Sequence, residues 1–360
     1  MITVLHYTGY TAERGGIVSV IRALHGEKLF RVVHGVSAGE VPSDPAGPER
    51  WRGPAIAGEK ISHGNLWRAR AVALAVRGWL QAEPGRVFHG HSRAGLLVGL
   101  WLLWFGERRV VVSVHCYGRR RWFYRWAAHR LGPQLFWLTP EMRRYYGVVG
   151  TGWPQCVPGG VPEDFFAITP AAPMPGRLRL GGAGMLVRWK RWDLVAEALA
   201  LLPGDIRAQI TFEHIGAATD EPDSQACAAQ LRSAAARLGV AENMTWRGQE
   251  NSSHRLLSAV DLLVVPSHRE PYSMIIQEAL AAGVPVLAAA SGGPLDVILP
   301  GKNGWLFRDG DARALADELA RQVRERAWTA LDRAEIRRSA RPARAAAVAW
   351  AEIYGRLQGQ

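Results

Sequence analysis

At 360 residues and 48% hydrophobic, the chain is long enough for two domains with substantial cores, while its three cysteines (Cys116, Cys156, Cys227) suit neither a disulfide framework nor a zinc site. The opening MITVLHYTGY reads as a buried strand and not as a secretory leader, and the longest apolar run, Ala94–Phe105, is too short to span a bilayer. The net charge of +12 sits in residues 1–160, where 21 Lys and Arg face 9 Asp and Glu; residues 161–360 hold 23 of each, so the first half is expected to meet something anionic.

In chain order, a strand at Thr3–His6 is followed by Gly15–Gly16 and a helical pattern through Leu24. Strands at Arg31–His34, Val87–His89, Val110–His115 and Leu135–Leu138 alternate with helices at Leu66–Gln81, Ala94–Phe105, Trp122–Leu131 and Glu141–Tyr146. Residues 166–176, FAITPAAPMPG, read as an interdomain linker. A second alternating set follows. Its strands are Arg179–Gly182, Gln209–His214, Met244–Arg247, Leu262–Val265 and Pro285–Ala289; its helices are Trp192–Leu202, Ser224–Leu238, Ser253–Ser258 and Met274–Ala282. A last helix spans Pro342–Leu357 and carries Trp350 and Tyr354. The expected class is α/β, with two doubly wound, Rossmann-like domains at 1–165 and 177–341. Ligands of such sheets bind at strand carboxyl ends. The informative loops do follow strands: Gly15–Gly16, His115, Gly182–Lys190 and Glu270.

The segment Ser267–Ile298, SHREPYSMIIQEALAAGVPVLAAASGGPLDVI, carries the most information. Glu270 lies in a turn marked by Pro271, and Glu278 lies in an Ala-rich helix starting near Ser273. A helix start offers free N–H groups and partial positive charge, a seat for phosphate. Glu278 sits roughly 7 Å further along the axis, within reach of a ribose whose diphosphate rests on the helix start; the plainer alternative is an ordinary α/β crossover with two surface glutamates. Glu270 is left to face whatever hangs beyond the phosphates.

Together these residues resemble the retaining glycosyltransferases of family 4, with the GT-B fold. The resemblance rests on Glu270-x7-Glu278, AGVPV at Ala282–Val286, SGGPLDVI at Ser291–Ile298, GKNGWLF at Gly301–Phe307, PGGVPEDFF at Pro158–Phe166 and the pair Gly15–Gly16. It implies two domains facing a central cleft, with residues 342–360 crossing back to the first. It also implies that backbone N–H groups around Ser273, Met274 and Ile275 hold the diphosphate, Glu278 accepts from ribose hydroxyls, Glu270 contacts the donor sugar, Gly15–Gly16 close over the distal phosphate and His115 sits near the sugar ring. His89 and His91 are weaker candidates for an acceptor role. In Gly184–Leu194, GMLVRWKRWDL, Lys190 matches the family's lysine, but Met185 stands where an arginine is expected. Arg188 is the candidate substitute.

The implied function is transfer of a hexose from a UDP- or GDP-linked sugar to a glycan or lipid-linked, anionic acceptor, in bacterial envelope polysaccharide or lipopolysaccharide synthesis. No metal and no cofactor beyond the nucleotide sugar are expected. The acceptor or a membrane surface would meet Arg119, Arg120, Arg121 and Trp122, where cations and aromatics interleave. Arg14 is a further candidate for acceptor or phosphate. The stretch also resembles a single-stranded nucleic-acid stripe, but no nucleic-acid module accompanies it. A cytoplasmic enzyme, peripheral at the inner membrane face, is the resulting expectation. The alternatives are a non-catalytic binding protein of the same fold and a sugar-nucleotide epimerase.

Overall fold

The computed structural model describes residues 1–9, 15–37, 47–56, 61–148, 156–219 and 221–358. The chain divides into two units: Met1–Pro162 with Pro342–Gln360, and Glu163–Arg341.

The first unit has six parallel strands: β1 (Thr3–Tyr7), β2 (Arg31–Ser37), β3 (Glu49–Gly53), β4 (Arg86–Gly90), β5 (Val110–Val114) and β6 (Leu135–Trp137), in the order β3-β2-β1-β4-β5-β6. Its helices are α1 (Gly16–Gly26), α2 (His63–Ala82), α3 (Ser92–Trp104), α4 (Arg121–Leu131) and α5 (Pro140–Tyr146). The valine runs explain the strands: β1 and β5 are buried throughout, as suits strands covered on both faces. Side chains cap two helix starts. Ser62 Oγ accepts from Asn65 N–H, and Thr139 Oγ1 accepts from Met142 N–H.

The second unit repeats the plan. Its strands are β7 (Leu178–Ala183), β8 (Ile210–Ile215), β9 (Met244–Trp246), β10 (Leu262–Val265), β11 (Val286–Ala289) and β12 (Gly304–Phe307), ordered β12-β11-β10-β7-β8-β9. Its helices are α6 (Asp193–Leu201), α7 (Gly204–Arg207), α8 (Pro222–Arg237), α9 (His254–Ala259), α10 (Met274–Ala282), α11 (Pro294–Val297), α12 (Ala312–Glu325) and α13 (Arg333–Arg338). Renumbered from its own first strand, each sheet has the doubly wound order 3-2-1-4-5-6. The order reverses between β1 and β4 and between β7 and β10.

The last helix, α14 (Ala343–Gln358), belongs to the first unit. The Ala343 N–H donates to Val161 O at 2.7 Å, and Trp350 and Tyr354 are buried against His89, Phe30 and Phe136.

Three readings change. Residues 166–176, expected as a linker, pack on the second unit: Ala171 N–H donates to Ser258 O, and Arg333 and Arg337 donate to Pro170 O and Ile168 O. The edge strand β3 is polar and half exposed, so it lacks an apolar signal. Strand β12 sits in what reads as a glycine turn. There Gly304 is needed because a Cβ would lie 2.0 Å from Val286 O.

Candidate active site

In the second unit the loops after β7 and β10 meet at the reversal point. His268 N–H donates to Trp189 O at 2.8 Å, pinning one loop to the other. Lys190 Nζ donates to Glu270 Oε2 at 2.7 Å, with both side chains largely buried. The Lys190 ammonium also lies 4.4 Å from the Trp189 ring centroid. A third loop, after β11, fixes Glu270 from the other side. Gly293 N–H donates to Glu270 O at 2.7 Å, and Arg269 N–H donates to Ser291 Oγ.

Helix α10 starts beside this pair. Ser273 holds a left-handed backbone, φ 68°, and its Oγ is buried with no partner among the described residues. The N–H groups of Ser273, Met274 and Ile275 find no backbone acceptor among those residues. Three N–H groups without a backbone acceptor thus open α10 three residues after Glu270, the partner of Lys190, and donors of this kind suit an anion. Glu278, half-buried, accepts from Ser253 Oγ–H at 2.5 Å. Burial raises its carboxyl pKa, while Ser253 and His254 oppose the rise.

The 3₁₀ turn Arg188–Lys190 aims its two cations differently. Lys190 reaches Glu270. Arg188 is exposed, no carboxylate among the described residues pairs with it, and its charge acts on the Cys227 thiol of α8. Met185 is exposed as well, with Trp192 Nε1–H donating to its carbonyl.

Two residues escaped the sequence reading. Ser253 is the immediate partner of Glu278. His214, fully buried, has no partner at either ring nitrogen among the described residues and lies beside Trp192 and Trp246; burial and the Lys190 charge lower its pKa to about 3. An Asp-x-Asp triplet, Asp309–Gly310–Asp311, also occurs. Asp309 pairs with His268 at 2.6 Å, and Asp311 pairs with Arg308 and caps α12 through Ala314 N–H. The two carboxylates are engaged separately, so the triplet is not arranged as a ready metal clamp.

In the first unit Gly15 has φ 104° and precedes α1, with open space where a Cβ would stand. Gly16 is the first helical residue. Arg14 lies outside the described residues. His115 follows β5, partly exposed, its Nε2 2.9 Å from His91 Nδ1, and burial lowers its pKa to about 4. His89 is fully buried and engaged by Tyr354 and Ser113, so it is not available to an acceptor. Arg119, Arg120, Arg121 and Trp122 are exposed, and α4 continues their stripe through Arg125 and Trp126. Among the described residues no helix is long and apolar enough to cross a membrane.

Two tandem doubly wound sheets define the class as GT-B. Residues 178–341, which lie within the second unit, match the family "Glycosyl transferases group 1". The chain is 33% identical over 138 residues to a D-inositol 3-phosphate glycosyltransferase of Mycolicibacterium gilvum, covering 38% of this chain and 30% of the relative. It is 31% identical over 133 residues to the lipopolysaccharide core biosynthesis glycosyltransferase LpsE of Rhizobium meliloti, covering 37% and 36%. The chain thus spans about a third of the length of such curated relatives. Among solved structures, HepE of Anabaena in complex with UDP and glucose superposes with a TM-score of 0.78 at 17% identity, over 99% of this chain and 100% of that one. Sucrose-phosphate synthase of Thermosynechococcus elongatus superposes with 0.80 at 18% identity, over the whole of both chains.

Proposed function

We propose that this chain transfers a hexosyl group from a nucleotide diphosphate sugar, UDP- or GDP-linked, to a glycan or lipid-linked acceptor. The observation that carries the reading is the Lys190–Glu270 pair set against the unpartnered N–H groups that open α10, with Glu278 further along the same helix. In this reading the diphosphate takes the free donors and Lys190, and Glu278 takes the ribose hydroxyls. Glu270 orients the sugar. The relatives' names and the UDP held by HepE support a nucleotide-sugar donor. The test is a thermal-shift screen of UDP-, GDP-, ADP- and dTDP-sugars, followed by nucleoside diphosphate release with candidate acceptors. A donor that binds without release in any mixture would favour a non-catalytic binding protein.

The reaction retains configuration and needs no metal. Lys190 and the helix start supply positive charge for the departing diphosphate, whose oxygen takes the acceptor proton on the same face. An α-linked donor should give an α-linked product, read from the anomeric NMR coupling. EDTA should leave the rate unchanged; a loss restored by Mg²⁺ or Mn²⁺ would return the Asp309–Asp311 triplet to the mechanism.

Glu278→Ala should weaken donor binding ~10- to 150-fold, the value of a charged hydrogen bond of about 1.5–3 kcal/mol. The pH dependence follows in sign. A raised pKa means that the ionised acceptor is lost sooner as pH falls, so donor affinity should drop while ordinary carboxylates are still charged. Affinity that stays flat across that range by calorimetry would remove Glu278 from the ribose.

The acceptor or its membrane docks on the exposed stripe Arg119–Trp122. Liposomes with anionic lipid should float the chain at low salt and release it at high salt. Binding that ignores charge and salt would end the membrane reading.

A further inference from the structure

Register places three histidines in one row of the first sheet. His34 pairs with His6, and His6 with His89, across β2, β1 and β4. A second line leaves this row through ring nitrogens. His6 Nδ1 lies 2.9 Å from His91 Nε2, and His91 Nδ1 lies 2.9 Å from His115 Nε2. His6 and His91 are buried, and only His115 reaches the surface. The far end of the line is unsatisfied: His6 Nε2 is buried with no partner among the described residues.

Burial holds all three rings neutral at pH 7, lowering His6 to about 3, His115 to about 4 and His91 well below its ordinary value. A neutral imidazole has one donor and one acceptor nitrogen. The line therefore has two arrangements, and the three tautomers change together. If protons point from His115 toward His6, then His6 Nε2–H is a buried donor with no acceptor. If they point the other way, His6 Nε2 is a bare lone pair, and His115 Nε2 accepts while His115 Nδ1 carries the proton. Orphaned buried N–H groups are the rarer defect. We propose that His6 and His91 are positioning residues that hold His115 as its Nδ1–H tautomer, so that it offers a hydrogen-bond donor at the carboxyl end of β5. That donor is open to a ligand oxygen, and its part in transfer rests on the function proposed above.

The same histidines admit a rival. His6, His89 and His91 each bring a ring nitrogen within 4.8 Å of the others, a spacing open to a metal ion. His89 argues against it, because Tyr354 OH and Ser113 Oγ occupy its two nitrogens at 2.6 and 2.8 Å.

Two measurements decide. Long-range ¹H–¹⁵N correlation on the full chain with labelled histidine reads the tautomers without any substrate, and His115→Gln assigns the signal. Nδ1–H on His115, His91 and His6 is expected. An Nε2–H on His115, or one equivalent of tightly bound metal in the purified protein, overturns the proposal. In sugar transfer, His91→Phe should lower kcat ~10- to 100-fold with donor KM nearly unchanged, the range seen when orienting partners of a histidine are lost. His91→Asn, which keeps an N–H near the Nδ1 position, should recover much of that loss. The double variant His91→Phe/His115→Ala should be no slower than His115→Ala alone. Equal loss in Phe and Asn variants, or additive loss in the double, would reduce His91 to packing. A chain that shows the expected tautomers but transfers no sugar would leave the histidine line intact and refute the transferase reading.

Discussion

Replacing Lys190 by Ala should slow sugar transfer ~30- to 1,000-fold, the loss of about 2–4 kcal/mol of transition-state stabilisation. The ammonium is held within the site by Glu270 and by the Trp189 face, so it is placed before any ligand arrives. A preplaced cation needs little reorganisation when the diphosphate leaves. The effect should fall mainly on kcat, because charge on the leaving group grows as the glycosidic bond breaks. One complication is built into the pair. Without Lys190, Glu270 is a buried carboxylate with no cation, which costs stability of itself. The double variant Lys190→Ala/Glu270→Gln separates the two effects. It should regain the thermal midpoint of the parent and stay slow. A double variant restored in rate would show that Lys190 acts only by neutralising Glu270. Arg188→Ala should be milder, since that side chain is exposed, whereas Lys190 is the cation paired with Glu270. A larger loss in Arg188→Ala than in Lys190→Ala would reverse the assignment of the two cations.

Gly292→Ala should be nearly as damaging by a different route. Gly292 has φ 73°, and a Cβ there would lie 2.4 Å from the Glu270 carbonyl oxygen. The left-handed backbone costs a non-glycine residue roughly 1–2 kcal/mol, and forcing the overlap apart about 1–3 more. For a unit of this size the thermal midpoint should fall by ~4–20 °C. The loop that yields carries Glu270 and leads into Ser273, so the anion seat shifts with it. Misplacement on the order of 1 Å at such a site costs ~100-fold in rate. Gly301 supplies the control: its φ is 77°, but nothing lies within 4 Å of its Cβ position. Gly301→Ala should show the backbone cost alone and full activity. Equal behaviour of the two variants would mean that the loop does not brace Glu270.

The alternation of strands and helices was legible because buried parallel strands demand the apolar runs seen at Val110–Val114 and Leu262–Val265. The order of those strands was not, and the site depends on it. Lys190 and Glu270 are 80 residues apart and meet only because β7 and β10 are neighbours at the reversal point. Ser253 was invisible for the same reason, since its contact with Glu278 crosses from α9 to α10. Arg188 and Lys190 looked equivalent as charges in one loop. A turn that closes at Arg191 with φ 53° sends them apart, and nothing in a list of residue types gives that direction. The histidines read as separate strand-end residues until register lined them up.

The placement of α14 bears on how the protein is made. The first sheet is complete in sequence by Trp137, yet its buried face at His89 is closed by Trp350 and Tyr354, which are made only after the whole second unit. During synthesis the second unit, one continuous stretch, can finish folding while the first still exposes an apolar surface to solvent. The nascent chain is most open to aggregation and to chaperone capture in that interval, which closes only when α14 is made.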